Sequence, residues 1–126
     1  MKIRTALGVI TLALIVAPAS ADDWRLLGAH TVDRGADHDQ IQLTASAGYR
    51  RLKLKVEHAP IEINRIEVVY ANGEPDWLDV REHLRAGGET HDIDLKGGDR
   101  VARRIVLWCH PDAGHERAVI SVWGRH

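Results

Sequence analysis

The chain of 126 residues contains one cysteine, Cys109, so it can form no disulfide within itself. A domain of this size without such staples must draw its stability from an ordinary hydrophobic core. It also lacks an apolar run long enough to cross a membrane as a helix. The longest such run, Ala6 to Ala17, is about a dozen residues, against the roughly 20 that a spanning helix needs. No segment has the length and 3.6-residue period of a crossover helix, which argues against βαβ units. No G-x-S-x-G elbow, P-loop or H-E-x-x-H is present, and beyond residue 21 the only serines are Ser46 and Ser121, neither in a nucleophile context. An enzyme is not expected.

Residues that are present point first to export. Lys2 and Arg4 precede the apolar run, and Pro18-Ala19-Ser20-Ala21 follows it. That order of charge, apolar stretch and small residues is the pattern of a secretory signal peptide. Cleavage after Ala21 would start the mature chain at Asp22 and leave residues 22–126 as one domain. No cysteine stands at the junction to carry a lipid, so no stable membrane anchor is expected after cleavage. The alternative is a short N-terminal helix buried in the fold. Without Lys2 and Arg4 the chain has 15 basic against 18 acidic residues, a net charge of −3. That balance excludes non-specific nucleic-acid binding, which needs a basic surface to displace counterions. The expected location is periplasmic or secreted.

Along residues 22–126 period-two alternation dominates. Ile41 and Leu43, then Leu52, Leu54 and Val56, then Ile61 and Ile63, then Ile66, Val68 and Tyr70 repeat at every second position, as half-buried strands require. Asn72-Gly73, Ala86-Gly87-Gly88 and Lys96-Gly97-Gly98-Asp99 mark reversals. The pattern predicts about eight strands: 24–33, 39–45, 49–57, 61–71, 76–80, 90–95, 101–110 and 117–124, with a helical turn over 80–85. The runs Ile105 to Cys109 and Ala118 to Trp123 are apolar on both faces, which marks them as central strands. The expected architecture is all-β, an antiparallel two-sheet sandwich of jelly-roll type. Cys109 should be a small apolar side chain in a buried strand; a reactive thiol is the alternative.

Four segments resemble a known group. Trp24-Arg25-Leu26-Leu27-Gly28 with Val32-Asp33, Tyr49 to Val56, the Val69-Tyr70-Ala71-Asn72-Gly73 hairpin and the closing Val122-Trp123-Gly124 are similar to the DUF2541 family of small exported bacterial proteins of unknown function. The similarity spans nearly all of the mature chain. It implies a periplasmic β-sandwich and carries over no catalytic residue.

Four constellations are candidates for chemistry. In Cys109-His110-Pro111-Asp112-Ala113-Gly114-His115, a hairpin would bring His110 and His115 together as ligands for zinc or copper. In a strand, however, Cys109 and His110 point to opposite faces, and a polar loop of solvated histidines is the plainer reading. No other cofactor is expected. Arg51, Lys53 and Lys55 share a strand face, and Arg103 stands with Arg100 and Arg104 at the entry to another strand. If those strands are neighbours, they form a cationic stripe for a glycan or an envelope protein. The alternative is a solvated face paired with Glu57, Glu62 and Glu67. Trp108 and Trp123 are the candidate stacking platforms, with Trp24 and at least one of that pair expected in the core. The acidic pairs Asp37/Asp39, Asp76/Asp79 and Asp92/Asp94 read as turn and solvent-face residues, although a glycosidase would need such a pair across a cleft. The functional expectation is a non-catalytic binding or accessory module for a glycan or envelope protein, with metal handling as the alternative.

Overall fold

The structure is a computed structural model and describes residues 23–35, 37–44, 47–111 and 117–126. The expected signal segment, Ser46, Asp112 and His115 lie outside the described residues. Nine strands occur in chain order: β1 Arg25–Thr31, β2 Asp39–Gln42, β3 Arg51–Glu57, β4 Ile61–Tyr70, β5 Pro75–Leu78, β6 Glu82–Leu84, β7 Ile93–Asp94, β8 Ala102–Pro111 and β9 Val119–Arg125. Among the described residues there is no helix.

Two antiparallel sheets result, with orders β1-β9-β3-β7 and β2-β8-β4-β5, and β6 also pairs with β4. Each early strand lies beside a late one: β1 with β9, β2 with β8, β3 with β7, and β4 with β5 and β6. The chain is therefore one long hairpin, folded back at β5 and rolled into two layers, which is the jelly-roll topology the alternation predicted. The two segments apolar on both faces, β8 and β9, are central in their sheets, as expected.

The period-two residues meet between the layers. Leu52, Leu54 and Val56 of β3 and Ile120 and Val122 of β9 face Ile61, Ile63, Ile66 and Val68 of β4 and Ile105 and Leu107 of β8, all essentially inaccessible to solvent. Burial of each such side chain contributes on the order of 1.5–3 kcal/mol relative to exposure. No tryptophan belongs to this core among the described residues. That corrects the expectation for Trp24 and for one of Trp108 and Trp123: all three are only partly buried, and Trp24 sits just before β1 on the outer face of the four-stranded sheet.

The helical turn expected over 80–85 is instead β6. Val80 and Leu84 are four apart, a spacing that fits a helical turn, but β4 presents an open edge at Ile61, Glu62 and Ile63, to which Leu84, His83 and Glu82 pair. Long-range pairing overrides a weak local period.

Candidate functional site

The outer face of the four-stranded sheet carries the expected basic side chains, and their neighbours neutralise them. Lys53 Nζ lies 4.3 Å from the ring centroid of Trp24 and Lys55 Nζ 4.4 Å from that of Trp123. Register explains the arrangement: Lys53 pairs with Trp123 and Lys55 with Ser121 across β3 and β9. Glu89 accepts from Lys53 at 3.1 Å and stands 4.0 Å from Lys55. Arg51 pairs with Asp94 at 3.1 Å and with Asp92 at 3.8 Å, and Arg125 reaches Asp92 at 3.7 Å. The acids that compensate this face are thus Glu89, Asp92 and Asp94, and Lys53 is only 8% exposed. Each cation is held by an indole or a carboxylate, which lowers its availability to a ligand.

Arg103 does not join this stripe. It stands on β8, in the other sheet, where its guanidinium donates to the Ala71 carbonyl at 3.0 Å. The two basic strands are not neighbours, so the joint cationic surface does not form.

On the outer face of the five-stranded sheet a different assembly appears. Trp77 of β5 is 50% exposed, an unusual state for an indole on a sheet. Its ring centroid lies 5.4 Å from that of Trp108 of β8 at an interplanar angle of 41°. Between these strands runs β4, and the Arg65 guanidinium lies 4.7 Å from the Trp77 ring and 6.0 Å from the Trp108 ring. His38 adds a fourth planar group, 5.3 Å from Trp108. Val69 and Val106, both buried but outside the inner core, give this face an apolar floor.

A backbone irregularity opens a cleft beside the indoles. Ile63 pairs with Cys109 and Arg65 with Trp108, so Asn64 is an extra residue in β4, a bulge. On the opposite edge, β5 ends at Leu78 and β6 begins at Glu82, so residues 79–81 leave the sheet where the bulge lies. The resulting cleft has a volume of about 400 Å³. Asp37, Asn64, Arg65, Asp79, Arg81 and His110 line it with Trp108. Trp108 and His110, nominated for separate roles, share one wall because they are two residues apart on β8.

Cys109 points the other way, into the core, where it is 7% exposed. Burial first, and the charge of Asp39 second, push its thiol up to about 11. Asp39 is itself buried, and its Oδ1 lies 2.8 Å from His30 Nε2 and accepts the Asp33 backbone N–H at 3.0 Å. Among the described residues no three His, Cys, Asp or Glu side chains converge as metal ligands.

The model of a domain of unknown function, DUF2541, matches residues 6–124. The chain belongs to the DUF2541 family. No curated protein matches this DUF2541 chain. Among solved structures it is similar to a chain from "Structural and functional characterization of Pseudomonas aeruginosa AlgX", with a TM-score of 0.52 and 12% identity over 81% of this chain and 26% of that one. The likeness is one of fold, and the DUF2541 chain spans about a quarter of the length of the AlgX chain.

Sequence reading of the DUF2541 chain missed Trp77, Arg65 and Asn64. The signal for Trp77 was present in Asp76-Trp77-Leu78: Tyr70 and Leu78 face inward, and alternation then puts an indole outside. Asn64 and Arg65 carry no such signal, because a bulge is invisible until both strands are paired.

Proposed function

We propose that this DUF2541 domain is a non-catalytic binding module that works outside the cytoplasm and holds a glycan on the outer face of its five-stranded sheet. The observation that carries the reading is the half-exposed Trp77, set against Arg65 and Trp108 at the lip of the polar cleft. A pyranose ring has an apolar C–H face that stacks on an indole, and hydroxyls that suit planar donors and acceptors at its rim. Asn64, Arg81, Asp37 and Asp79 supply such groups beside the rings. An exposed aromatic surface bordered by polar side chains marks an interaction site rather than a solvated face. The basic face of the other sheet serves this role less well, since its cations are already engaged. Export is supported by the order of Lys2, Arg4, the apolar run and Ala19 to Ala21.

The test is tryptophan fluorescence and calorimetric titration of the purified chain against a panel of neutral, acidic and amine-bearing soluble polysaccharides. At least one class should bind, and Trp77→Ala should weaken that binding by about tenfold, the scale of one lost aromatic stack. Binding that is unchanged in both Trp77→Ala and Trp108→Ala removes the platform from consideration. Absence of binding across the panel removes the glycan reading itself.

A further inference from the structure

A second polar cavity, of about 260 Å³, is lined by Tyr70, Glu74, Pro75, Asp76, Lys96 and Arg100. Asp76 turns inward from β5 because its neighbour Trp77 turns outward, and it is 4% exposed. The Tyr70 hydroxyl donates to Asp76 Oδ2 at 2.9 Å. Burial and that hydrogen bond push the hydroxyl up to about 12, so it remains a donor at every physiological pH. The other oxygen, Oδ1, is buried without a hydrogen-bond partner. A buried carboxylate oxygen with no aligned donor is costly to keep, and such a group calls for an occupant.

Lys96 is the nearest cation. Its Nζ stands 3.3 Å from Oδ1, in contact by charge but out of alignment for a hydrogen bond. Its side chain is 78% exposed, and Gly97 and Gly98, both in the left-handed region, follow it in a turn. Only the Lys96 end of this pair is in solvent, the Asp76 end being 3% exposed, so the ammonium can swing out without disturbing the core but leaves a buried carboxylate in need of another cation. Arg100 does not compete for Asp76. Its guanidinium lies 3.8 Å from the Tyr70 ring centroid, donates to Glu74 at 3.1 Å and to the Lys96 carbonyl at 3.3 Å. Hydrogen bonds from Asn72 and Arg100 hold the Glu74 carboxyl below its ordinary range, so it stays ionised. With Lys96 swung away, the cavity presents two carboxylates against one guanidinium.

We propose that this cavity is a binding site for a primary ammonium group of a ligand, seated on Asp76 Oδ1, with the Lys96 ammonium as its internal stand-in. The ligand class is a free amine on a small polar carrier, either an amino sugar or a lysine side chain. The site lies on the inner side of β5, away from Trp77, and does not rest on the glycan reading above.

Amide chemical-shift titration of the full chain tests it, with glucosamine, N-acetylglucosamine and Nα-acetyl-lysine as probes. In Lys96→Met the amides of Tyr70 and Asp76 should shift with glucosamine, Nα-acetyl-lysine or both, at several-fold lower concentration than in the unaltered chain. N-acetylglucosamine, which lacks the charge, should leave them in place. Glu74→Gln in the Lys96→Met background should weaken the response while leaving the fold intact, since Glu74 is exposed. Which of the two amines saturates at lower concentration identifies the carrier. A Lys96→Met chain that shows no amine-dependent shift, or that responds equally to N-acetylglucosamine, overturns the proposal. Lys96→Met leaves the buried Asp76 carboxylate without its cation, so its probe-free amide spectrum is first compared with that of the unaltered chain. Where the two do not overlay away from the cavity, the amine titration of the unaltered chain decides, and the absence of a shift there overturns the proposal.

Discussion

Native protein mixed with a chromogenic disulfide reagent at pH 8 should release colour far more slowly than the same protein in urea, and Cys109 makes the difference calculable. The thiolate is the attacking species. Cys109 lies on the inner side of β8 opposite Ile63, and its thiol is pushed up from 9.0 to about 11. Two pH units reduce the thiolate fraction about a hundredfold at any pH below both values. Steric exclusion of the reagent adds to that factor. The assay is the ratio of labelling rates, native to unfolded. A native rate within about tenfold of the unfolded one would refute the reasoning, because burial would then not be controlling the sulfur. The same shift sets an alkaline limit. The folded chain holds the Cys109 proton more tightly than the unfolded one, so stability is complete below about pH 9 and declines between about pH 9 and 11. Tyr70, raised from 10.0 to about 12, adds a decline of the same sign above pH 10. Urea midpoints measured across pH 8 to 11 should therefore fall, and Cys109→Ala should flatten the part that begins near pH 9.

Other substitutions separate packing from surface roles. Ile105→Ala empties a fully buried site in the central strand β8, and urea unfolding should register a loss of about 2–5 kcal/mol. A methyl group added by Gly124→Ala would meet Leu27 Cδ1 at 2.8 Å and the Tyr49 ring at 2.9 Å, so about 1–3 kcal/mol should be lost by the same measure. Trp77→Ala, by contrast, should change the midpoint by under about 1 kcal/mol, since the indole is half in solvent. Lys53→Glu should destabilise the chain by about 1–3 kcal/mol, because it sets a second carboxylate beside Glu89 and removes the cation from Trp24. A thermal melt of Lys53→Glu that matches the parent would contradict the account of that face.

What could be read from the sequence was governed by period. Leu52, Leu54 and Val56 or Ile61 and Ile63 announce an inner face by alternation alone, and the doubly apolar Ile105 to Cys109 announces a central position. An antiparallel sandwich of jelly-roll type was expected from strand number and turn spacing, while the order of strands in each sheet came only with their pairing. The candidate site was legible only in fragments. Trp108 and His110 were singled out, and the cleft joins them, but its shape depends on the Asn64 bulge and on the gap between β5 and β6. Both arise from pairing between residues far apart in the chain. Arg103 was misplaced for a related reason: strand content does not state which sheet a strand enters. Trp24 was expected inside because indoles bury well, yet Lys53 and Arg125 cover it from without.

The position of β9 has a kinetic consequence. It lies between β1 and β3 and supplies the central ladder of the four-stranded sheet, so Arg25 must wait for Gly124 and Leu52 for the same residue. Contacts this remote in sequence make folding slow. The four-stranded sheet cannot close while β9 is still being delivered, and until then the inner faces of β1 and β3 lack the strand that joins them.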